Sequence, residues 1–253
     1  GTIETKTITK DTYGFKLAHN YVVGSYKIEL YDVERDYSIV GDVTNTKSLI
    51  SHPSSVKRVV LGSGVVSIGN GAFGGFGNGC TSLTSIYIPE GVTSIGERAF
   101  YNCTSLTSIY IPEGVTSIGD YAFESCYSLT SVHIPESVAS IGYGTFGDRT
   151  SLTSVHIPEG VTSIAGGILY DCTSLTSVHI PEGVTSIGEG AFSGCTSLTS
   201  VHIPEKVTTY IGSFANCTSL TSINIPEGVT SINDTTFYGC TSLTSINIPE
   251  SVV

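Results

Sequence analysis

The stretch CTSLTSVHIPEGVTSIGEGAFSG, residues 172–194, decides the reading of this chain, because it returns on both sides of itself. Cys80, Cys103 and Cys126 stand 23 residues apart, and Arg149 stands where the next Cys is due. Cys172, Cys195, Cys217 and Cys240 carry the series on, with one short step of 22 residues between Cys195 and Cys217. A degenerate copy, SVKRVVLGSGVVSIGNGAFGG, occupies residues 55–75, and residues 76–79 form an insertion before Cys80. Self-similarity at a fixed short period means units that bury their apolar faces against one another, since no single unit can bury its own.

Inside each unit the apolar residues follow L-x-x-L-x-L spacing, as in Leu83, Ile86 and Ile88 or in Leu175, Val178 and Ile180. That core at a period between 20 and 29 is the leucine-rich-repeat signature, with one short strand per unit added to a parallel sheet. Val184, Ile187, Ala191 and Phe192 close the coil over the core. The expected fold is therefore an α/β-class leucine-rich-repeat solenoid, rich in β-structure, with short second strands or turns on the side opposite the sheet. Residues 1–50 read as an N-terminal β cap, with alternating stretches at 7–9 and 26–33 and a Gly24-Ser25 turn. Residues 51–253 read as the solenoid, about eight to nine repeats long.

The series stops at Val253 part-way through a unit, so the expectation is a longer natural chain, or an end covered by a partner or a second copy. No Met occurs, and the chain opens on Gly-Thr-Ile, which reads as a mature or trimmed segment. The balance of 11 Lys+Arg against 22 Asp+Glu gives a net charge of −11, which argues against nucleic acid and against anionic membrane surfaces. No apolar run approaches the length of a bilayer-spanning helix, so no membrane insertion is expected of this segment.

The string IPEGVTSIGEGAFSGCTSLTSV, residues 180–201, resembles the Treponema-type leucine-rich repeat of BspA-like surface proteins. That pattern places Ile-Gly, Ala-Phe and Cys as they stand at Ile187-Gly188, Ala191-Phe192 and Cys195, and the resemblance spans residues 55–253. It implies a cell-surface or secreted, adhesin-like module contacting host or neighbouring-cell surface proteins or glycans. It implies no catalytic residue and no cofactor. The departures are Arg149 in a Cys slot, the run at 165–169 where Gly-x-x-Ala-Phe is due, and the shortened unit at 210–214.

In an in-register parallel stack, each repeat position becomes a column with a rise of about 4.8 Å. Counting from Cys, the fifth following position is outward Ser throughout, from Ser85 to Ser245. The seventh changes in blocks: Tyr87 and Tyr110, then His133, His156, His179 and His202, then Asn224 and Asn247. Outward residues have no core duty, so this file reads as a recognition strip along a concave sheet. Its imidazoles make the strip's charge depend on pH. Two other readings stay open: strand-surface residues inherited through unit duplication, and a weak metal ladder on His133, His156, His179 and His202.

A second column is acidic: Glu90, Glu113, Glu136, Glu159, Glu182, Glu205, Glu227 and Glu250, each after a Pro. It reads as a solvated turn edge, with Ca²⁺ or cationic-partner contacts as the alternative. The Pro column, from Pro89 to Pro249, ends each strand at a fixed place. The Cys column reads as buried thiols acting as small hydrophobes, and Arg149 in that column predicts a unit that bulges outward. Ser-x-His recurs four times, from Ser131/His133 to Ser200/His202; a hydrolase needs an orienting acid and an oxyanion hole, and these pairs share one flat strand face with no pocket and no unique copy, so no enzyme is expected. Sequons stand at Asn102, Asn216 and Asn233. The competing class of function is a rigid spacer that projects another domain.

Overall fold

The computed structural model describes residues 56–74, 79–210 and 212–253, and the backbone of one earlier strand, β1 (Asp36–Ile39). The expected cap stretches at 7–9 and 26–33 and most of the insertion at 76–79 lie outside the described residues. Each coil has two strand sides and one turn side. The first strand side carries β1, β2 (Arg58–Leu61), β3 (Ser85–Tyr87), β7 (Ser154–His156), β9 (Ser177–His179), β11 (Ser200–Val201) and β13 (Ser222–Ile223). The second carries β4 (Ser94–Ile95), β5 (Ser117–Ile118), β6 (Ser140–Ile141), β8 (Ser163–Ile164), β10 (Ser186–Ile187) and β12 (Thr209–Tyr210).

All pairing is parallel and joins equivalent positions. Ser154, Val155 and His156 face Ser177, Val178 and His179, and Ser117-Ile118 faces Ser140-Ile141. Isolated bridges continue the first side where strands are too short to name, at Tyr110 with His133 and at Asn224 with Asn247. β1 pairs with β2 from Asp36↔Arg58 to Ile39↔Leu61, so the sheet reaches into the 1–50 region. The α/β label expected from the repeat class is corrected here: the described residues contain no helix, and turns stand where that class label would put helices.

Local sequence explains the corners. After Cys, the Leu175 amide donates to the Cys172 carbonyl at 3.0 Å; after Pro, the Val184 amide donates to the Pro181 carbonyl at 3.0 Å. On the turn side, alternate amides donate forward to the next coil, as Arg98 to Asp120, Phe100 to Ala122 and Asn102 to Glu124, at 2.8–3.0 Å. Between residues 98 and 216 this corner takes two left-handed residues per coil, supplied by Gly144, Gly167, Gly190, Gly194 and Gly212 and otherwise by Arg98, Asn102, Tyr121, Ser125, Asp148, Asp171 and Asn216. The Gly after each Ile has a different duty, because a Cβ on Gly119 would stand 2.5 Å from the Glu97 amide nitrogen of the coil before. Threonine hydroxyls reinforce the stack by donating to the previous coil's carbonyls, as Thr176 to Thr153 at 3.2 Å.

The core is a file of stacked rings. Phe73, Phe100, Phe123 and Phe146 follow one another at centroid distances of 5.2, 5.2 and 5.7 Å, with their planes nearly parallel. Leu169 replaces the ring in the departing unit at 165–169 and is itself fully buried. Phe192, Phe214 and Phe237 resume the file at 5.3 and 6.1 Å. The shortened unit keeps register as well, since β12 pairs with β10 and Phe214 sits in the stack.

The Cys column is more than small hydrophobe. From Cys103 onward each thiol donates to the carbonyl at the ring position one coil earlier, as Cys126 to Phe100 at 3.2 Å and Cys172 to Phe146 at 3.1 Å, with Leu169 as the acceptor for Cys195. The cysteines are free, and burial pushes the Cys80, Cys172 and Cys217 thiols up to about 12.

Arg149 corrects the expectation of an outward bulge. Its side chain is fully buried, with Cζ 6.0 Å from the Phe123 ring centroid and 5.4 Å from that of Phe146. Its Nη2 donates to the Phe123 carbonyl, the acceptor that a Cys in this slot would use. Nε and Nη1 have no hydrogen-bond partner, and burial lowers the guanidinium pKa. The turn ladder runs through undisturbed, with the Asp148 amide donating to Tyr170 at 2.7 Å.

Arg149→Cys therefore removes two orphaned donors and restores the thiol bond; it should raise folding stability by about 1–3 kcal/mol, read from the urea midpoint. A lower midpoint would show that filling the slot outweighs the unpaired charge. Phe123→Ala removes stacking on both neighbours and should cost about 3–5 kcal/mol in the same measurement.

Candidate functional site

The Pro of each unit ends a strand and its carbonyl anchors a tight turn, so the following Glu stands at the turn's second position, facing solvent. From there the carboxylate reaches the next coil's outward residue. His156 Nε2 lies 3.0 Å from Glu136 Oε1, His179 Nε2 3.0 Å from Glu159 Oε1, and His202 Nε2 3.1 Å from Glu182 Oε1. His133 is looser, 3.7 Å from Glu113 Oε1. The sequence presents His and Glu as two separate columns; the coil geometry joins them into one file of pairs.

Two further contacts order this file. The His156 and His179 rings stack at 5.4 Å and 6°. Glu136 Oε2 also accepts the Glu159 amide at 3.2 Å. The carboxyl of Glu136 consequently lies below its ordinary value, first through the His156 hydrogen bond and then through the Glu159 amide. When a neutral imidazole donates from Nε2, its Nδ1 is left as an acceptor for a ligand. Tyr87 and Tyr110 continue the strip as exposed rings, and partial desolvation together with Glu90 and Glu113 raises the Tyr110 hydroxyl pKa. Asn224 and Asn247 close the strip with exposed amides, paired in register. Glu205, Glu227 and Glu250 face solvent.

Among the described residues no group of three or more His, Cys, Asp or Glu is placed to hold a metal ion. In the Ser-x-His pairs at 154/156, 177/179 and 200/202, the imidazole's hydrogen-bond partner is a carboxylate one coil back, not the serine two residues before. Of the sequons, Asn102 and Asn216 take the left-handed turn conformation, and Asn233 Oδ1 accepts from the Thr235 amide and hydroxyl at 3.0 Å.

Sequence reasoning missed a second cluster, on the turn side. Arg98 and Tyr121 hold left-handed backbone where other units use Gly, and the Arg98 guanidinium lies 4.6 Å over the Tyr121 ring. Tyr121 meets Tyr143 edge-on at 5.4 Å, and Tyr143 lies across Gly166 and Gly167 of the next coil. Beside them Asp148 accepts from Ser125 at 3.1 Å and Tyr127 at 2.9 Å, while the Tyr170 hydroxyl donates to Glu124. Desolvation raises the Glu124 and Asp171 carboxyls. The signal available in the sequence was departure from the repeat at the turn positions; what it lacked was the knowledge that these departures meet.

A profile of the BspA-type leucine-rich-repeat region matches this chain in six copies, over residues 47–175 and 162–253. A comparison with curated protein sequences finds no match. Among solved structures, a leucine-rich repeat protein from Bacteroides ovatus superposes with a TM-score of 0.68 at 33% identity, over 76% of this chain and 57% of that one. This chain thus spans little more than half of the Bacteroides protein's length. The Treponema pallidum leucine-rich repeat protein superposes with a TM-score of 0.61 at 37% identity, over 64% of this chain and 77% of that one. The pneumococcal vaccine antigen PcpA, at 18% identity and a TM-score of 0.63 over 86% of this chain and 61% of its own, shares the fold. The repeat profile from residue 47 to the last residue, with the Treponema identity, establishes that the chain belongs to the BspA-type leucine-rich-repeat family.

Proposed function

We propose that this chain is a non-enzymatic, adhesin-like binding module of a cell-surface or secreted protein. It recognises protein or glycan ligands along the first strand side, over Tyr87, Tyr110, His133, His156, His179, His202, Asn224 and Asn247. The observation that supports this reading is the file of exposed His–Glu pairs, three of them within 3.1 Å, with two rings stacked at 5.4 Å. The hydrogen bonds to the glutamates hold these imidazoles in one repeated orientation. Orientation before binding lowers the entropy cost of contact, which is what a recognition surface needs. Family membership supports the surface or secreted setting, and no helix among the described residues is long and apolar enough to cross a membrane.

The decisive comparison is binding of the wild-type chain and of a variant with all four column histidines changed to Ser, measured at neutral pH against immobilised extracellular-matrix proteins and glycans. Affinity is spread over many rungs, so the fourfold variant should lose at least about 10-fold, while His156→Ala alone costs only about two- to threefold. Equal binding by the fourfold variant would overturn the strip, and no binding by the wild-type chain would favour a spacer that projects another domain.

Glu136 sets a pH signature. Its folded carboxyl value is depressed, so its contribution is present above the ordinary glutamate range and disappears as pH falls through the lowered value. Glu136→Gln should therefore be less stable than wild type at neutral pH, and the two should converge in urea titrations as pH falls below the ordinary glutamate range.

A further inference from the structure

One pair of neighbouring rungs fills the space between its side chains. His156 and His179 do so by stacking, which leaves each side chain 51% exposed. At the step from His202 to Asn224 the column passes from an imidazole to a shorter carboxamide, and the His202 side chain is 63% exposed. The backbone does not part there, because Ser200 and Val201 still pair in register with Ser222 and Ile223. At this step lies an open depression of about 400 Å³, lined by Ser200, Val201, His202, Ser222, Ile223 and Asn224. That volume is at the lower end of the roughly 300–1,000 Å³ of small-molecule sites.

We infer that this depression is a subsite for a single ring of a neutral saccharide. The inference rests on reading the strand face as a recognition surface, and it names the ligand chemistry of one station on it. The chemistry of the lining selects the ligand. The floor is strand backbone at Val201 and Ile223, whose side chains turn into the core, so every side chain that a ligand meets there is polar. Two serine hydroxyls and the Asn224 carboxamide each both donate and accept, which matches the alternating demands of ring hydroxyls. His202 is held in place through Nε2 by Glu182 at 3.1 Å, which leaves Nδ1 for a sugar hydroxyl. No Lys or Arg lines the depression, so an acidic sugar or a phosphate would find no charged fork. No unpaired carboxylate lines it either, so a cationic side chain has no partner within it.

An open site of this size holds one ring with few contacts, so millimolar affinity is expected. The test is an amide NMR titration of the ¹⁵N-labelled chain with free glucose, galactose, mannose, N-acetylglucosamine and N-acetylgalactosamine, each to about 100 mM. At least one sugar should shift the Asn224 side-chain amide and the Val201 and Ile223 backbone amides along saturable curves. Asn224→His puts the preceding rung's own residue into the slot, so it keeps the fold and fills the depression. It should abolish those shifts, while Asn247→His leaves them within twofold of the wild-type midpoint. Absence of a saturable shift with all five sugars, or wild-type curves in Asn224→His, would overturn the subsite. The two readings fail separately: if the fourfold His→Ser variant loses matrix-protein or glycan binding while no free sugar shifts the amides, the strip stands and the subsite falls. Saturable shifts beside unchanged fourfold-variant binding would reject the distributed strip and keep the subsite.

Discussion

Backbone pairing between equivalent positions of successive coils is the constraint from which the rest of this molecule follows. A coil has too few residues to bury its own Leu, Ile and Phe, and it leaves amides and carbonyls open on both faces. Both demands are met only when the next coil lies parallel and in register, about 4.8 Å away. Register then forces like onto like: ring on ring in the phenylalanine file, thiol under the preceding ring's carbonyl, threonine hydroxyl on the preceding threonine's carbonyl. It also explains which small residues are fixed, since Gly119 is required by the neighbouring backbone and Gly144 by its own positive φ.

The same constraint manufactures the surface. Outward positions are repeated at the coil spacing, so any polar residue becomes a file, and a side chain long enough to span one rise meets a different column of the next coil. The Glu after Pro has that length, and its turn aims it forward. His–Glu pairing is thus a product of solenoid pitch acting on two unremarkable columns, and it converts a row of mobile imidazoles into a row of oriented ones.

Departures from the repeat are concentrated in the coils between residues 120 and 171, and the structure absorbs them in two ways. Arg149 turns inward and borrows the acceptor that its predecessors' thiols use, at the cost of two donors left without partners. Tyr143 and Tyr170 turn outward and lie against glycines of adjacent coils, Gly166 and Gly167 for the first and Gly147 for the second. Unit 165–169, with its two glycines, looks irregular in isolation and is complementary to the tyrosine one coil before it.

Period, strand position, core columns and the identity of the outward file were all legible in the sequence, because each depends on spacing within one unit and the units repeat. The solenoid and its parallel register follow from that alone. Other features depend on distances between residues of different coils: the pairing of Glu136 with His156, the inward path of Arg149, the Arg98–Tyr121–Tyr143 cluster and the depression beside Asn224. Such distances are set by pitch, turn shape and rotamer together, and a linear period carries none of the three. The absence of helix among the described residues has the same origin, since three tight turns per coil and the forward-donating amides of the turn side leave no span of backbone free to make intrahelical bonds. Sequence therefore determined which side chains stand in each column, and the tertiary structure decided which columns touch.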